Sequence, residues 1–204
     1  MSSPVVYLAS KSARREELLR QLGIEFTTLR VREAPGREPD VEEGARDAEP
    51  ALHYVERIAR TKATVGWQRM LQRGLPPRPV LGADTEVVLD GVIFGKPKDA
   101  ADAVRMLTAL SNRSHQVLTA VAFCWEQQMV ADISTSIVTF RELKRDEIER
   151  YIATGEPFDK AGAYAVQGRA ASFVSRIEGS YSGVMGLPLY ETAAALAGIG
   201  FPVL

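Results

Sequence analysis

The sequence predicts a mixed α/β fold, a β-sheet with flanking helices. Segments of helical periodicity alternate with β-branched apolar runs, and at least two of those runs fold back as hairpins, which a purely parallel sheet would not contain. Internal repeats, low-complexity tracts and composition shifts are absent, so residues 1–204 read as one domain, with two lobes allowed.

The elements follow in order. A strand over about 4–9, carried by Val5, Val6 and Leu8, runs into Ser10 and Ser12. A helix is expected from Ala13 to Leu22, with Leu18, Leu19 and Leu22 on its apolar side, Ser12 as N-cap and Gly23 closing it. A strand around Phe26–Val31 leads into "REAPGREPDVEEGARDAEPA", whose Pro, Gly and acidic content reads as a long loop, a class that is usually functional or mobile. From about Pro50 to Leu71, Leu52, Val55, Ile58, Ala59 and Ala63 recur near helical spacing until "RGLPPRP" breaks the pattern. "VLGADTEVVLDGVIF" is a strand, an Asp90-Gly91 hairpin turn and a short return strand. Asp99 caps a helix over Ala100–Leu110. "QVLTAVAFCW" and "MVADISTSIVTF" are β-rich runs joined by Glu126-Gln127-Gln128. A helix over Lys144–Ala153 ends at Gly155, "FVSRIEG" is a short strand, and a last helix covers Leu189–Leu196.

Composition narrows the function classes. With 25 basic and 26 acidic side chains, the net charge of −1 argues against a general nucleic-acid or membrane-surface binder. Any anion site must be a local cluster. The single cysteine, Cys124, cannot form an internal disulfide and favours a reducing compartment. The N-terminal apolar stretch is too short for a signal peptide, and no run approaches the roughly 18 apolar residues of a membrane span. A cytoplasmic location is expected.

Several stretches carry chemistry. In "LASKSARREELLRQLG" (8–23), Lys11, Arg14 and Arg15 crowd a helix start, where the macrodipole is already positive. Either a bound anion compensates them, or Glu16, Glu17 and solvent do. Asp84 and Thr85 sit in the apolar "GADTEVVLDG", where a carboxylate is costly unless paired, hydrogen-bonded or metal-bound. Asp84 is thus a turn-capping strand residue, a metal ligand or a general base. "GKP" presents Lys96 on a turn stiffened by Pro97, as a point charge for phosphate or as a solvated lysine. "GEPFDKAGAYAVQG" (155–168) holds Asp159, Lys160, Tyr164 and Gln167. It is either a ligand loop whose Gln167 amide reads a base or an Ω-loop packing Phe158 and Tyr164. "EGSYSGVMGLP" (178–188) is a second Gly/Ser stretch, leading to the last helix. His53 reads as an exposed helix residue and His115 as a strand-end hydrogen-bonder, in no metal-ligand spacing. Nucleophile-elbow, P-loop and dinucleotide fingerprints are absent. Carboxylates, lysines, arginines and glycine-rich loops without a covalent nucleophile fit metal-assisted phosphate-ester chemistry.

Taken together, "LASKSARREELL" (8–19), "GADT" (82–85), "GKP" (95–97), "LSNRSHQVLTAV" (110–121), "EPFDKAGAYAVQG" (156–168) and "IEGSYSGVMGLP" (177–188) resemble the Maf family of nucleoside triphosphate pyrophosphatases, in that family's order and over nearly the whole chain. The resemblance implies a bilobed, Maf/ITPase-like fold with a central nucleotide-binding cleft. The implied reaction splits a nucleoside triphosphate between its α and β phosphates with a divalent cation, Mg²⁺, Mn²⁺ or Co²⁺. By the same resemblance Asp84 is the proton acceptor and Glu33, in "VREAPG", the family's loop glutamate. In the mechanism expected from this, Asp84 accepts the proton or holds the metal, or does both in sequence, and Glu33 is a second metal contact. Ser10, Arg14 and Arg15 match the first substrate-binding loop, Lys62 a lysine on the long helix, and Lys96 the GKP lysine. Arg14, Thr85 and Gln167 match the branch acting on dTTP and UTP; the 7-methyl-GTP branch has tryptophan at the first of these positions and glutamate at the last. Ala13 and Glu86 depart from the family pattern, which has proline and an apolar residue there; Glu86 either adds a carboxylate near the cleft or faces solvent. With the other motifs in place, the anion reading of the helix-start cations is preferred. The expected partner is a nucleoside triphosphate, without nucleic acid or membrane, and a homodimer is admitted. Two other functions stay open: a house-cleaning purine nucleotide pyrophosphatase, and a non-catalytic nucleotide-binding regulator of cell division, whose mark would be loss of Asp84 or Lys96.

Overall fold

The computed structural model describes residues 4–30, 41, 42, 44, 46 and 48–203. Among the described residues there are seven strands, interspersed with helices: β1 (Val5–Leu8), β2 (Glu25–Thr28), β3 (Val80–Leu89), β4 (Val92–Phe94), β5 (Ser114–Trp125), β6 (Gln128–Phe140) and β7 (Val174–Glu178). They form one mixed sheet in the order β2-β1-β3-β5-β6-β7, with β4 paired to β3 alone. β1 is parallel to both β2 and β3, and every other pairing is antiparallel. The hairpin turns explain much of this. Asp90 and Gly91 both have positive φ, 51° and 78°, as a two-residue turn matched to the strand twist requires. Between β5 and β6 the turn is Glu126-Gln127, because Gln128 already pairs with Trp125; the expected three-residue connection is one residue too long.

The helices are α1 (Ala13–Gln21), α2 (Ala51–Gln72), α3 (Ala100–Leu110), α4 (Arg145–Ile152), α5 (Tyr181–Met185) and α6 (Leu189–Gly198). Asp99 caps α3 through Asp102 N–H, as its sequence position indicates. Ser12 occupies the N-cap position of α1 but makes no side-chain capping bond. β2 stops at Thr28, short of the expected end, and most of the 32–51 loop expectation lies outside the described residues. α5 was not expected; Ser180 caps this five-residue helix through Gly183 N–H.

The register of β3 places the two lobes. Along one face, Leu81 and Ala83 join an apolar cluster with Leu18 and Leu19 of α1 and Leu196 of α6. Val87 and Leu89, on the same face, join another with Leu107 of α3, Ile148 of α4 and Phe173. Polar Thr85 falls between them. On the opposite face, Val88 packs with Val55, Ala59 and Ala63 of α2. The edge of β3 has a matching gap: its pairing with β1 ends at Leu81 and its pairing with β4 begins at Val87. Residues 82–86 therefore front an open space between two separately packed halves. That space is the cleft. Among the described residues no helix is long and apolar enough to cross a membrane.

Candidate active site

The cleft has a volume of about 1020 Å³, and its walls include Ser10, Arg14, Arg15, Lys62, Asp84, Thr85, Lys96 and Gln167. These residues come from β1's C-terminal loop, α1, α2, β3, the turn after β4 and the loop before β7, so the fold joins positions up to 157 residues apart. Glu33 lies outside the described residues.

Asp84 is only 8% exposed. Its Oδ1 accepts a hydrogen bond from Lys62 Nζ at 2.8 Å, while Oδ2 is buried with no hydrogen-bond partner among the described residues. The pair exists because α2 lies unusually close to β3. A Cβ at Gly82 would stand 2.3 Å from Ala59 O and 2.5 Å from Ala63 N, so only glycine allows this approach. Lys62 precedes Ala63, and Asp84 follows Gly82 by two residues on the same strand face.

Across β3, Arg15 is folded inward from the first turn of α1. Its Nε donates to Gly186 O at 2.8 Å, one terminal nitrogen to Ser10 Oγ at 3.0 Å and the other to Thr85 Oγ1 at 3.2 Å. All three are neutral oxygens, and together they fix the orientation of the guanidinium. Thr85 Oγ1 also lies 3.1 Å from Thr119 Oγ1, which donates to Gly183 O. Gly186 supplies its carbonyl from φ 120°, a conformation that L side chains rarely adopt.

Arg14 points further out, donating Nε–H to Met185 O at 3.3 Å and standing 4.0 Å from Asp159. Burial pushes its guanidinium down from the ordinary value and Asp159 opposes that, but an arginine so placed stays cationic. Glu16, in the first turn of α1, pairs with Arg20 and accepts a hydrogen bond from Thr28.

Lys96 and Gln167 are exposed on the far wall. The turn bearing Lys96 is tied to the 155–168 loop, because Gly162 N–H donates to Gly95 O at 3.1 Å. In that loop Lys160 pairs with Asp159. Tyr164 is buried with its hydroxyl 2.8 Å from His115 Nε2, whereas Phe158 remains 40% exposed, so the packing alternative holds for Tyr164 alone. His115 is a buried strand residue, and burial pushes it down to about 4. His53 is exposed on α2. Glu86 lines the cleft rather than facing open solvent.

Sequence reasoning missed the carbonyls of Met185 and Gly186 that seat Arg14 and Arg15. It also missed Glu156, which lines the cleft beside Gly168. The glycine-rich "EGSYSGVMGLP" was the only available signal for the carbonyls. Among the described residues no three His, Cys, Asp or Glu side chains cluster as a ready-made metal site.

Comparison with known sequences shows one family. The family model described as "Maf-like protein" matches residues 5–199. The dTTP/UTP pyrophosphatase of Nitrosomonas europaea is 54% identical over 97% of this chain and 96% of its own length. The dTTP/UTP pyrophosphatase of Aromatoleum aromaticum is 53% identical over 97% of each chain. That of Nitrosospira multiformis is 55% identical over 94% of this chain and 92% of its own length. Among solved structures, the Staphylococcus aureus Ham1 protein aligns over 67% of this chain and 71% of its own, with a TM-score of 0.43 and 13% identity.

Proposed function

The chain belongs to the Maf family, and we propose from that premise and from its cleft that it hydrolyses dTTP and UTP to the monophosphate and pyrophosphate. One observation carries the reading. A buried carboxylate, Asp84, has one oxygen held by Lys62 and the other without a hydrogen-bond partner among the described residues, in the same cleft as Arg14, Arg15 and Lys96.

The chemistry follows from that arrangement. Asp84 Oδ2 accepts the proton of a water attacking the α-phosphorus, while Lys62 fixes the carboxylate through Oδ1. Arg15 and Lys96 neutralise the triphosphate and the departing pyrophosphate, assisted by the start of α1, where backbone N–H groups and the helix dipole favour phosphate. The helix-start cations thus face an anion. Gln167, whose amide both donates and accepts, pairs the polar edge of a pyrimidine, with Arg14 and Thr85 shaping the adjoining wall.

A divalent cation fits the donor set, since Asp84 Oδ2 is a hard, anionic oxygen with no hydrogen-bond partner among the described residues. We assign its protein contacts to Asp84 and Glu33, with Mg²⁺, Mn²⁺ and Co²⁺ as candidates. When bound it neutralises phosphate charge. The buried, single Cys124 supports a reducing, cytoplasmic setting.

The test is pyrophosphate release from dTTP, UTP, CTP, GTP, ATP and 7-methyl-GTP with each of the three cations and with chelator. The expected outcome is highest kcat/KM for dTTP and UTP and none with chelator. Preference for a purine nucleotide overturns the substrate reading, and nucleotide binding without turnover would favour a regulator.

A further inference from the structure

We propose that Glu156 is a positioning residue for base selection, because its carboxylate braces the backbone on both sides of Gln167. The proposal rests on the reading that Gln167 faces the base. Gln167 is exposed in the cleft wall, and its own side chain has no hydrogen bond to a described residue that would hold it. What fixes it is main chain. Glu156 Oε1 accepts from Tyr151 OH at 2.9 Å, and Tyr151 OH accepts from Ala165 N–H at 3.3 Å, two residues before Gln167. Glu156 Oε2 accepts from Arg169 N–H at 3.2 Å, two residues after it. Gly168 lies directly on the same carboxylate: a Cβ there would stand 2.3 Å from Oε1.

The brace is anchored at its far end. Tyr151 is buried in α4, with its ring edge-on to Phe173 at 5.2 Å between centroids. Burial and Glu156 hold its phenol well above the ordinary value, so it remains a donor throughout the working pH range. One carboxylate therefore links the α4 core to the backbone of the recognition loop, at Ala165 through Tyr151 and at Gly168 and Arg169 directly. Losing it leaves Gln167 attached but free to shift by a fraction of an ångström, which is enough to lose a two-point match to a base edge.

The experiment uses Glu156→Ala, Glu156→Gln, Tyr151→Phe and Gly168→Ala in the full chain, with kcat/KM for dTTP and GTP measured for each. Gly168 has φ −102° and ψ −154°, outside the left-handed region, so that substitution acts chiefly by crowding the carboxylate. The dTTP:GTP ratio should fall about tenfold or more in Glu156→Ala and Gly168→Ala, through dTTP alone. Glu156→Gln, which keeps one acceptor, should fall between these and the parent. Glu156→Ala/Gly168→Ala should be no worse than Glu156→Ala, since both act on one brace. Tyr151→Phe keeps the ring packing and guards against failure of the other variants to fold. Amide exchange in the nucleotide-free protein should accelerate at Ala165 and Arg169 in Glu156→Ala. An equal loss for both nucleotides, additive losses in the double variant, or unchanged exchange at those amides overturns the brace. A parent enzyme without dTTP preference overturns the functional reading instead, and leaves the exchange arm to judge the brace by itself.

Discussion

The two oxygens of Asp84 have different surroundings, and that difference makes the residue testable. Oδ1 is held by Lys62 at 2.8 Å, and Oδ2 is buried without a hydrogen-bond partner among the described residues. Asp84→Asn keeps the shape but removes charge and basicity, so turnover should fall by about 10²-fold or more, the scale of a positioned acid–base group. Steady-state rates at saturating nucleotide and metal, with circular dichroism to confirm folding, check this; near-parental turnover would make Asp84 structural. Gln167→Glu replaces the amide donor with acceptor-only oxygens. It should cost about 1–3 kcal/mol in transition-state binding for dTTP, roughly one to two decades in kcat/KM. An unchanged dTTP:GTP ratio would remove Gln167 from base reading. His115 is a different kind of residue, buried and neutral beside Tyr164. Its value drops from 6.5 when unfolded to about 4 in the folded chain. The unfolded state thus binds the proton more tightly, and stability present above pH 6.5 is lost as pH falls toward 4. The loss is on the order of 3 kcal/mol for a shift of this size. Urea unfolding of the parent and His115→Phe at pH 7, 5.5 and 4.5 should show a shallower decline in the variant, whatever its stability at pH 7.

Among the elements, the pairing of α2 with β3 decides the site, since it alone brings Lys62 to Asp84. Gly82→Ala would put a methyl 2.3 Å from Ala59 O and 2.5 Å from Ala63 N, both backbone atoms that cannot swing aside. We expect a loss of roughly 1–3 kcal/mol or more in stability, as for other overpacked cores. Turnover should fall even where the variant is fully folded, because α2 must move away from β3 and carry Lys62 with it. Thermal melts together with kcat below the melting range check both parts; unimpaired turnover would show that the spacing does not matter. The strands and the Asp90-Gly91 hairpin were legible in the sequence, because alternation and a two-residue Asp-Gly turn are local signals. The role of Gly82 was not, since nothing local says which helix lies over it. α5 escaped for another reason: five residues do not complete two turns, and its Ser180 cap looks like any serine in a glycine-rich loop. That Ser10, Arg14, Arg15, Lys62, Asp84, Thr85, Lys96 and Gln167 share one cleft was legible through the motifs that carry them. The carbonyls of Met185 and Gly186, which carry no side-chain signature, were not.

On the scale of the molecule, two apolar clusters share one sheet face and are parted at Thr85, so the cleft is a seam between cores rather than a hollow in one of them. A ligand in such a seam touches both halves. α1 and Arg15 belong to one, and the Lys96 turn with the 155–168 loop belongs to the other. Between those halves the charged contact of Arg14 with Asp159 spans 4.0 Å, long for an ion pair and easily displaced by a phosphate. The triphosphate chain should therefore add a tie across the open side of the seam, beyond the strands the halves share, and which bond breaks depends on where that tie places the α-phosphorus. Two analogues separate the alternatives. A UTP carrying a methylene between its α and β phosphorus atoms cannot be cut at that link. It should bind without turnover and raise Tm by about 5–11 °C at a hundredfold excess over Kd, the linkage expected for a domain of this size. A UTP carrying the methylene between β and γ should still be cleaved, giving UMP and methylene-linked diphosphonate. The opposite pattern, with the β,γ-analogue inert and orthophosphate released from the other, would place the attack at the γ-phosphorus. That result would rule out the assignment of Asp84 to a water on the α-phosphorus, although the cleft would remain a nucleotide site.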